Sequence, residues 1–369
     1  MSTKPDLAVL IGRFQPFHLG HLQIVKSGLE TADRMLILIG SSNIARTTRN
    51  PFTYAERKTI IRKALLEAGI FSDRVTVQAL PDNPYDNAAW STTVQEKVRA
   101  ECDALEQRYG LSKPLEIAIT GHDRDQSSFY LKKFPQWKFR PPKTDLLHVN
   151  ATALRHEIFT KAVSAAYLEP ETPFQWLPGS TFDFLREFER TDFFNDLTGE
   201  YRFENEYRAK WGPGPFQTVD NVVIQSGHVL VVQRKNRPGR GLFAVPGGHL
   251  NLNELLDVAA VRELWEETKL FDDALGREKY TGEQQEIMDR RLWPHYRARR
   301  RFDNPYRSTR AHVITEAFLF KLPDATHFPA VTGSDDAERA FWLPLSEMEP
   351  TEFFEDHAFI IRKMLSYLG

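Results

Sequence analysis

Two groups of residues in this 369-residue chain have the types and spacing to do chemistry. Near the start, His18 and His21 flank Gly20 in GRFQPFHLGH, directly after the apolar run LAVLI. If a strand leads into a helix there, both imidazoles fall at the helix start, where unpaired backbone N–H groups and the helix dipole favour an anion. Gly20 has no side chain, so a phosphate can approach the backbone closely. Taken alone, the pair also suits a polar turn whose histidines cap a helix. Far along the chain, Glu263, Glu266 and Glu267 stand at i, i+3 and i+4 in VRELWEETKL, which puts three carboxylates on one helical face. Such charges repel unless something cationic sits between them, and oxygen ligands in that number favour Mg²⁺ or Mn²⁺, which activates water. A bare E-x-x-E-E also fits a solvated helix face.

The elements that must position these groups follow from periodicity. LAVLI (Leu7 to Ile11) reads as a buried strand, Gly20 to Ala32 as a helix, and MLILIG (Met35 to Gly40) as a second strand. AERKTIIRKALLEAG (Ala55 to Gly69) is an amphipathic helix stopped by glycine, and RVTVQALP and LEIAITG supply further short strands. Strand and helix in alternation predict a parallel sheet with right-handed crossovers, which takes ligands at the carboxyl ends of its strands. A charged, aromatic stretch then runs to Gly212-Pro213-Gly214-Pro215 and reads as a helical connector ending in a linker. Beyond it, VDNVVIQSGHVLVVQRK alternates as a hairpin about Ser226-Gly227, and GLFAVPGGHL leads into a helix from about Leu255 to Lys269. AHVITEAFLFKLP and RAFWLPLSEM add strands, and Phe353 to Leu368 closes the chain as a helix. The expected architecture is an α/β domain over 1–183, a connector over 184–215, and an α+β domain over 216–369.

Composition narrows the function classes. A hydrophobic fraction of 41% builds cores, and 48 basic against 50 acidic residues give a formal charge of −2, so no whole-chain field attracts nucleic acid. Cys102 is the only cysteine, which excludes an intrachain disulfide and fits a reducing cytoplasm. No apolar run approaches the ~18 residues of a membrane span, and the N-terminal run is too short for a signal peptide. A cytoplasmic protein is expected; a homo-oligomer stays open, because oligomeric state leaves no mark on the sequence. His228, His312, His327 and His357 lack ligand spacing and read as structural.

GRFQPFHLGH resembles the HxGH signature of the nucleotidyltransferase superfamily, in particular the archaeal-type nicotinamide-mononucleotide adenylyltransferases. The resemblance continues through IGSSNIARTTRNPFTYAERKTIIRKAL, NAAW (Asn87 to Trp90), GHDRD (Gly121 to Asp125) and NATALR (Asn150 to Arg155), covering roughly residues 6 to 165. It implies that Arg13, His18 and His21 hold the ATP phosphates with Thr152 and Arg155, that Arg49 stabilises charge at the reacting phosphorus, and that Gly12, Phe14 and Gly20 shape the ATP loop. Ala151 stands where the superfamily usually has a serine. Phe52, Asn87 and Trp90 are implied for the mononucleotide, with Trp90 on the pyridine ring or in the core. Asp123 and Asp125 are implied for ribose hydroxyls or for a helix cap.

GHLNLNELLDVAAVRELWEETKL is similar to the Nudix box, G-x5-E-x7-R-E-U-x-E-E-x-G-U, at Gly248, Glu254, Arg262, Glu263, Leu264, Glu266, Glu267 and Leu270. Lys269 stands where the pattern has glycine, at a cost of about 1 kcal/mol if the backbone turns left-handed. The two resemblances together imply a Rossmann-like parallel-sheet nucleotidyltransferase domain followed by an α+β Nudix domain, using Mg²⁺ or Mn²⁺ in both. The implied enzyme makes NAD from ATP and nicotinamide mononucleotide and hydrolyses ADP-ribose to AMP and ribose 5-phosphate. A carboxylate among Asp335, Asp336 and Glu338 is a candidate base or further metal contact. Alternatives for the Nudix half are a housecleaning pyrophosphatase and a non-catalytic sensor of ADP-ribose or NAD.

Overall fold

A computed structural model describes residues 6–110, 113–123, 126–146, 148–161, 163, 172–272 and 279–368. It divides into two compact units, Met1–Thr198 and Gly199–Gly369. Among the described residues no helix is long and apolar enough to cross a membrane.

The first unit is built on β1 (Leu7–Gly12), α1 (Leu19–Thr31), β2 (Arg34–Ile39), α2 (Tyr54–Glu67), β3 (Val75–Ala79), α3 (Asn87–Tyr109), β4 (Ile117–Thr120) and β5 (Lys138–Phe139). All pairings are parallel, in the order β3-β2-β1-β4-β5. Successive residues of a strand face opposite ways, and β1 uses both faces. Ala8 and Leu10 pack toward Ile24 and Val25 of α1 and Ile60 and Ile61 of α2, whereas Leu7, Val9 and Ile11 pack toward Val94, Val98 and Leu105 of α3. The strand order reverses between β1 and β4, so a crevice opens at their carboxyl ends, where the HxGH stretch lies. Helix α3 has no counterpart in the periodicity reading. Asp86 caps its start by accepting from the Ala89 N–H at 2.9 Å, and Gly110 ends it at φ 62°. Helices α4 (Ala151–Thr160), α5 (Gly179–Phe188) and α6 (Asp192–Trp211) follow; α6 has residues on both sides of the division.

The second unit has β6 (Phe216–Gln225), β7 (His228–Arg234), β8 (Phe243–Ala244), β9 (Gly247–His249), α7 (Leu256–Thr268), α8 (Gly282–Arg291), β10 (Tyr296–Phe302), β11 (Val313–Lys321), β12 (Ala337–Pro344) and α9 (His357–Leu365). Its mixed sheet runs β10-β11-β6-β7-β12, with β8 on β7 and β9 on β6. Among the described strand pairs, only β11–β6 is parallel. The β6–β7 hairpin turns at Ser226 (φ 45°) and Gly227 (φ 74°), the two positive φ angles that match the strand twist. Val219, Val223, Phe318 and Phe320 pack with Ala260, Leu264 and Trp265 of α7. Helix α8 has no counterpart in the sequence expectation, and two further elements differ from it. YRARRRF forms edge strand β10 although four of its residues are arginines, because an edge strand facing water tolerates charge. The closing helix starts at His357 rather than Phe353, because Phe353 bridges to Phe243 in extended backbone.

Candidate functional site

In the first unit the chain leaves β1 at Gly12, turns through Phe14 at φ 53°, and enters α1 at its N-cap, His18. The His18 N–H donates to His21 Nδ1 at 3.3 Å, and the two rings stack with centroids 3.6 Å apart. Accepting at Nδ1 assigns the neutral ring's proton to His21 Nε2, which makes that atom a donor. Phe17 stacks on His21 at 5.6 Å and Phe14 meets its edge at 4.9 Å, so the ring has little freedom. A Cβ on Gly20 would stand 3.0 Å from two atoms of the His18 ring, which is why the position between the histidines carries no side chain.

Hydrogen bonds tie the neighbouring loops to this turn. Gln15 and Phe52 bond each other twice, Nε2 to the Phe52 carbonyl at 2.9 Å and the Phe52 N–H to Oε1 at 3.0 Å. Arg155 donates to the Gln15 carbonyl at 2.8 Å and to Thr152 Oγ1 at 3.1 Å, bringing the start of α4 to the same place. The fully buried Arg57 donates to the carbonyls of Arg13 (2.7 Å), Gly40 (2.7 Å) and Ser41 (2.9 Å), clamping the ends of β1 and β2. Burial pushes its pKa down to about 10, so it stays charged at neutral pH. Asp82, after β3, accepts from the Ser41 N–H and hydroxyl. Arg46 forks onto Glu56 at 2.7 and 2.8 Å and bonds the Pro51 carbonyl, bracing the loop that carries the half-buried Arg49. Burial raises the Glu56 carboxyl, but the Arg46 and Thr53 hydrogen bonds together with the Arg46 charge outweigh it and the pKa falls.

The mononucleotide candidates are more dispersed. The Phe52 ring is buried against Phe184 and Phe188 of α5, so its side chain builds a wall. Asn87 is exposed on the first turn of α3; Trp90 is half-buried, 6.4 Å from Phe134, with Lys133 Nζ 5.9 Å above its ring. Asp123 pairs with Lys132 at 2.8 Å, and Asp125 lies outside the described residues.

In the second unit Arg262 is the hub. Nε and Nη2 fork onto Glu254 at 2.7 and 2.8 Å, Nη1 bonds Glu263 and Glu266 at 2.8 Å each, and Nη2 reaches the His249 carbonyl at 3.1 Å. Glu267 accepts from the Gly247 N–H at 3.0 Å. A Cβ on Gly248 would come within 2.6 Å of the Glu263 carboxylate, so the glycine leaves that group its place. Leu264, between these ligand candidates, points into the core. Burial pushes Glu263 up to about 7 against the pull of Arg262, with Glu266 and Asp335 adding to the rise. Burial raises Glu267 well above the carboxylate range, Gly247 opposing and Glu263 and Asp336 contributing. The hydrogen bonds from Arg262 hold Glu254 low instead. Among the described residues no three acidic, histidine or cysteine side chains are gathered as a closed metal site. Arg262 occupies the space between Glu263 and Glu266, and Glu267 is turned onto Gly247. The donor set nevertheless fits a hard divalent cation: the atoms are carboxylate oxygens, crowded and partly desolvated, and a cation offsets the burial, and the smaller mutual repulsion, that raise the pKa values of Glu263 and Glu267.

Family models match the chain twice, as Cytidylyltransferase-like over residues 9–122 and as a NUDIX domain over residues 215–364. The Acinetobacter baylyi nicotinamide/nicotinic acid mononucleotide adenylyltransferase is 29% identical over 203 residues, 55% of this chain and 96% of that protein. The Saccharolobus solfataricus nicotinamide-nucleotide adenylyltransferase is 48% identical over 71 residues, 19% of this chain and 41% of that protein. The crystal structure of a bifunctional NMN adenylyltransferase/ADP ribose pyrophosphatase from Francisella tularensis is 30% identical, covers 99% of this chain and 100% of its own, and superposes with a TM-score of 0.84. The chain belongs to that bifunctional family. A second structure of the Francisella protein, complexed with AMP and a manganese ion, covers the same shares at a TM-score of 0.82.

Within this member of the family, several site-building residues escaped the motif reading. Arg57 and Gln15 bind no expected ligand, yet they fix the loops that do. In the second unit a buried network braces β9 from behind. Arg307 forks onto Asp356 at 2.9 Å twice and lies 3.6 Å from Asp220, and these carboxylates keep it charged against burial. Asp220 pairs with Gly247 in the sheet, and His357 Nδ1 accepts from the Val245 N–H at 3.1 Å. Asp335 and Asp336 follow Ser334, whose N–H bonds the Glu267 carbonyl at 3.2 Å, and both act on the buried glutamates; Glu338 is exposed on β12. Lys269 has φ 51° and ψ 26°, the left-handed geometry expected for glycine, and its Nζ lies 3.6 Å over the Trp265 ring. That cation–π contact, worth about 0.5–2 kcal/mol, offsets the backbone cost.

Proposed function

We propose that the first unit transfers the adenylyl group of ATP to nicotinamide mononucleotide, giving NAD and pyrophosphate, and that the second hydrolyses ADP-ribose to AMP and ribose 5-phosphate. The observation that carries this reading is the pairing, in one chain alike along its length to the Francisella protein, of the His18–Gly20–His21 turn with the Glu263, Glu266 and Glu267 face.

In the transfer reaction the mononucleotide 5′-phosphate oxygen attacks the α-phosphorus of ATP, and the bond to the bridging oxygen breaks as pyrophosphate leaves. The nucleophile is already an anion, so alignment and charge neutralisation do the work. His18 and His21 donate to the triphosphate, Arg13, Thr152 and Arg155 hold its remaining oxygens, and Arg49 meets charge at the reacting centre. Gly12, Phe14 and Gly20 shape that loop, Asn87 and Trp90 take the mononucleotide, Phe52 walls its site, and Asp123 binds ribose in exchange for Lys132. In the hydrolase, Glu263, Glu266 and Glu267 hold the divalent ion, Gly248 makes room for Glu263, and Arg262, itself anchored by Glu254, orients the carboxylates. Mg²⁺ or Mn²⁺, when bound in either unit, neutralises phosphate charge and in the second acidifies water. A sensing domain has no use for that carboxylate face. We assign the protein to the cytoplasm, a reducing compartment that keeps its single cysteine, Cys102, as a free thiol.

Two variants test the reading in the full chain. His21→Ala abolishes pyrophosphate release from ATP plus nicotinamide mononucleotide and spares ADP-ribose cleavage, while Glu267→Gln does the reverse. Loss of both activities in a folded variant, or unchanged Mg²⁺-dependent hydrolysis by Glu267→Gln, overturns it.

A further inference from the structure

Helix α6 begins in the first compact unit, and its C-terminal part lies before the residues matched by the NUDIX model. That part is nonetheless built into the second unit. Arg208 Nη1 donates to the Thr309 carbonyl at 2.7 Å, and the His312 N–H donates to the Pro213 carbonyl at 2.8 Å. Just before these ties, Tyr207 projects toward β9: its hydroxyl is 3.4 Å from His249 Nε2, and Phe216 meets its ring edge-on at 5.7 Å. The His249 carbonyl in turn accepts from Arg262, the hub of the acidic site. Arg310 completes the group. Its Cζ stands 5.7 Å from the Tyr207 ring centroid, beyond the about 3.5–4.0 Å of close packing, and its Nε is buried with no hydrogen-bond partner among the described residues.

We propose that Tyr207 and Arg310 form the nucleobase subsite of the hydrolase, so that the helix between the two family modules supplies its specificity. A diphosphate held at Gly248 and Glu263 has its attached groups within reach of β9. Beside that strand lie an aromatic face and a guanidinium with an unsatisfied N–H. Such a pair selects a planar ring bearing acceptor atoms, since bases stack on aromatic and guanidinium planes and accept hydrogen bonds at their edges. Arg310 Nε–H donates to an edge nitrogen of the base, and the Tyr207–His249 contact holds the ring in place. The ligand class is an adenine nucleotide, the base common to ADP-ribose and AMP.

This inference deepens the hydrolase reading and rests on it for the substrate. The test uses the full chain and two product inhibitors, AMP, which carries the base, and ribose 5-phosphate, which does not. With Tyr207→Ala, KM for ADP-ribose and the competitive inhibition constant of AMP rise about tenfold, while kcat stays within about threefold and inhibition by ribose 5-phosphate is unchanged. Tyr207→Phe keeps most of the AMP affinity, Arg310→Ala loses it, and adenylyl transfer is unaffected in all three. An unchanged AMP constant in Tyr207→Ala, or equal weakening of AMP and ribose 5-phosphate, overturns the proposal. If wild-type protein cleaves another nucleoside diphosphate compound instead of ADP-ribose, the choice of hydrolase substrate fails, and the AMP comparison made with that compound still decides the subsite.

Discussion

Replacing Arg57 by methionine removes a group that touches no expected ligand, and the structure sets the size of the effect. The side chain is 1% exposed and satisfies the carbonyls of Arg13, Gly40 and Ser41. Methionine matches the stem but takes the Arg57 donors away from all three carbonyls. At the low end of the penalty for a stranded buried group, about 1 kcal/mol each, the first unit loses about 3 kcal/mol. For a unit of this size the loss lowers its midpoint of thermal inactivation by about 6–12 °C. The carbonyls belong to the loops after β1 and β2, so adenylyl transfer by the surviving folded protein also falls, by up to about 100-fold, through misplacement of Arg13 and the histidine turn. Residual adenylyl transfer after a heat challenge is measured with ADP-ribose hydrolysis in the same sample as control. A variant that keeps the wild-type midpoint and rate refutes the clamp.

Other perturbations separate the remaining claims. Gly248→Ala puts a methyl 2.6 Å from the Glu263 carboxylate and lowers hydrolysis at least about tenfold, with adenylyl transfer unchanged in the same preparation. Without divalent cations, Glu263 has its pKa moved from 4.5 to about 7, so over that span the folded state keeps a proton that the unfolded chain releases. Stability of the second unit therefore falls as pH rises from about 4.5 to about 7. Mg²⁺ flattens that slope, as does Glu263→Gln; a slope indifferent to both removes the electrostatic account. Trp90→Ala raises KM for the mononucleotide more than for ATP in steady-state transfer, and an equal rise in both returns Trp90 to the packing around Phe134.

The parallel sheet, the Ser226–Gly227 hairpin and the α7 helix were legible because local periodicity and turn chemistry specify them. The HxGH turn and the glutamate face were legible because their chemistry sits within a few consecutive residues. What stayed hidden is what the fold assembles from distant positions. Arg57 occupies the apolar stripe of α2 with Ile60, Ile61, Ala64 and Leu65, so a cation on a buried face was a usable signal, although its three acceptors were not. Arg307, Asp356 and Asp220 meet from three separate segments, and no spacing rule joins them. Helix α3 was missed because its buried positions, Val94, Val98, Cys102 and Leu105, are diluted among polar residues over 23 positions. Strand β10 was missed because its arginines mask the β pattern.

Lys269 and Trp265 show how a motif can drift without losing its geometry. The backbone at 269 keeps the left-handed turn that glycine adopts freely, and the ammonium lies over the indole one helical turn earlier. The two positions are therefore coupled in energy, and the order of substitution matters. Reverting 269 to glycine first gives up a contact and relieves the strain together, whereas losing the indole first leaves a strained lysine uncompensated. The path back to the common pattern is open from one side only, which makes this helix end a ratchet in the sequence rather than a simple exception to it.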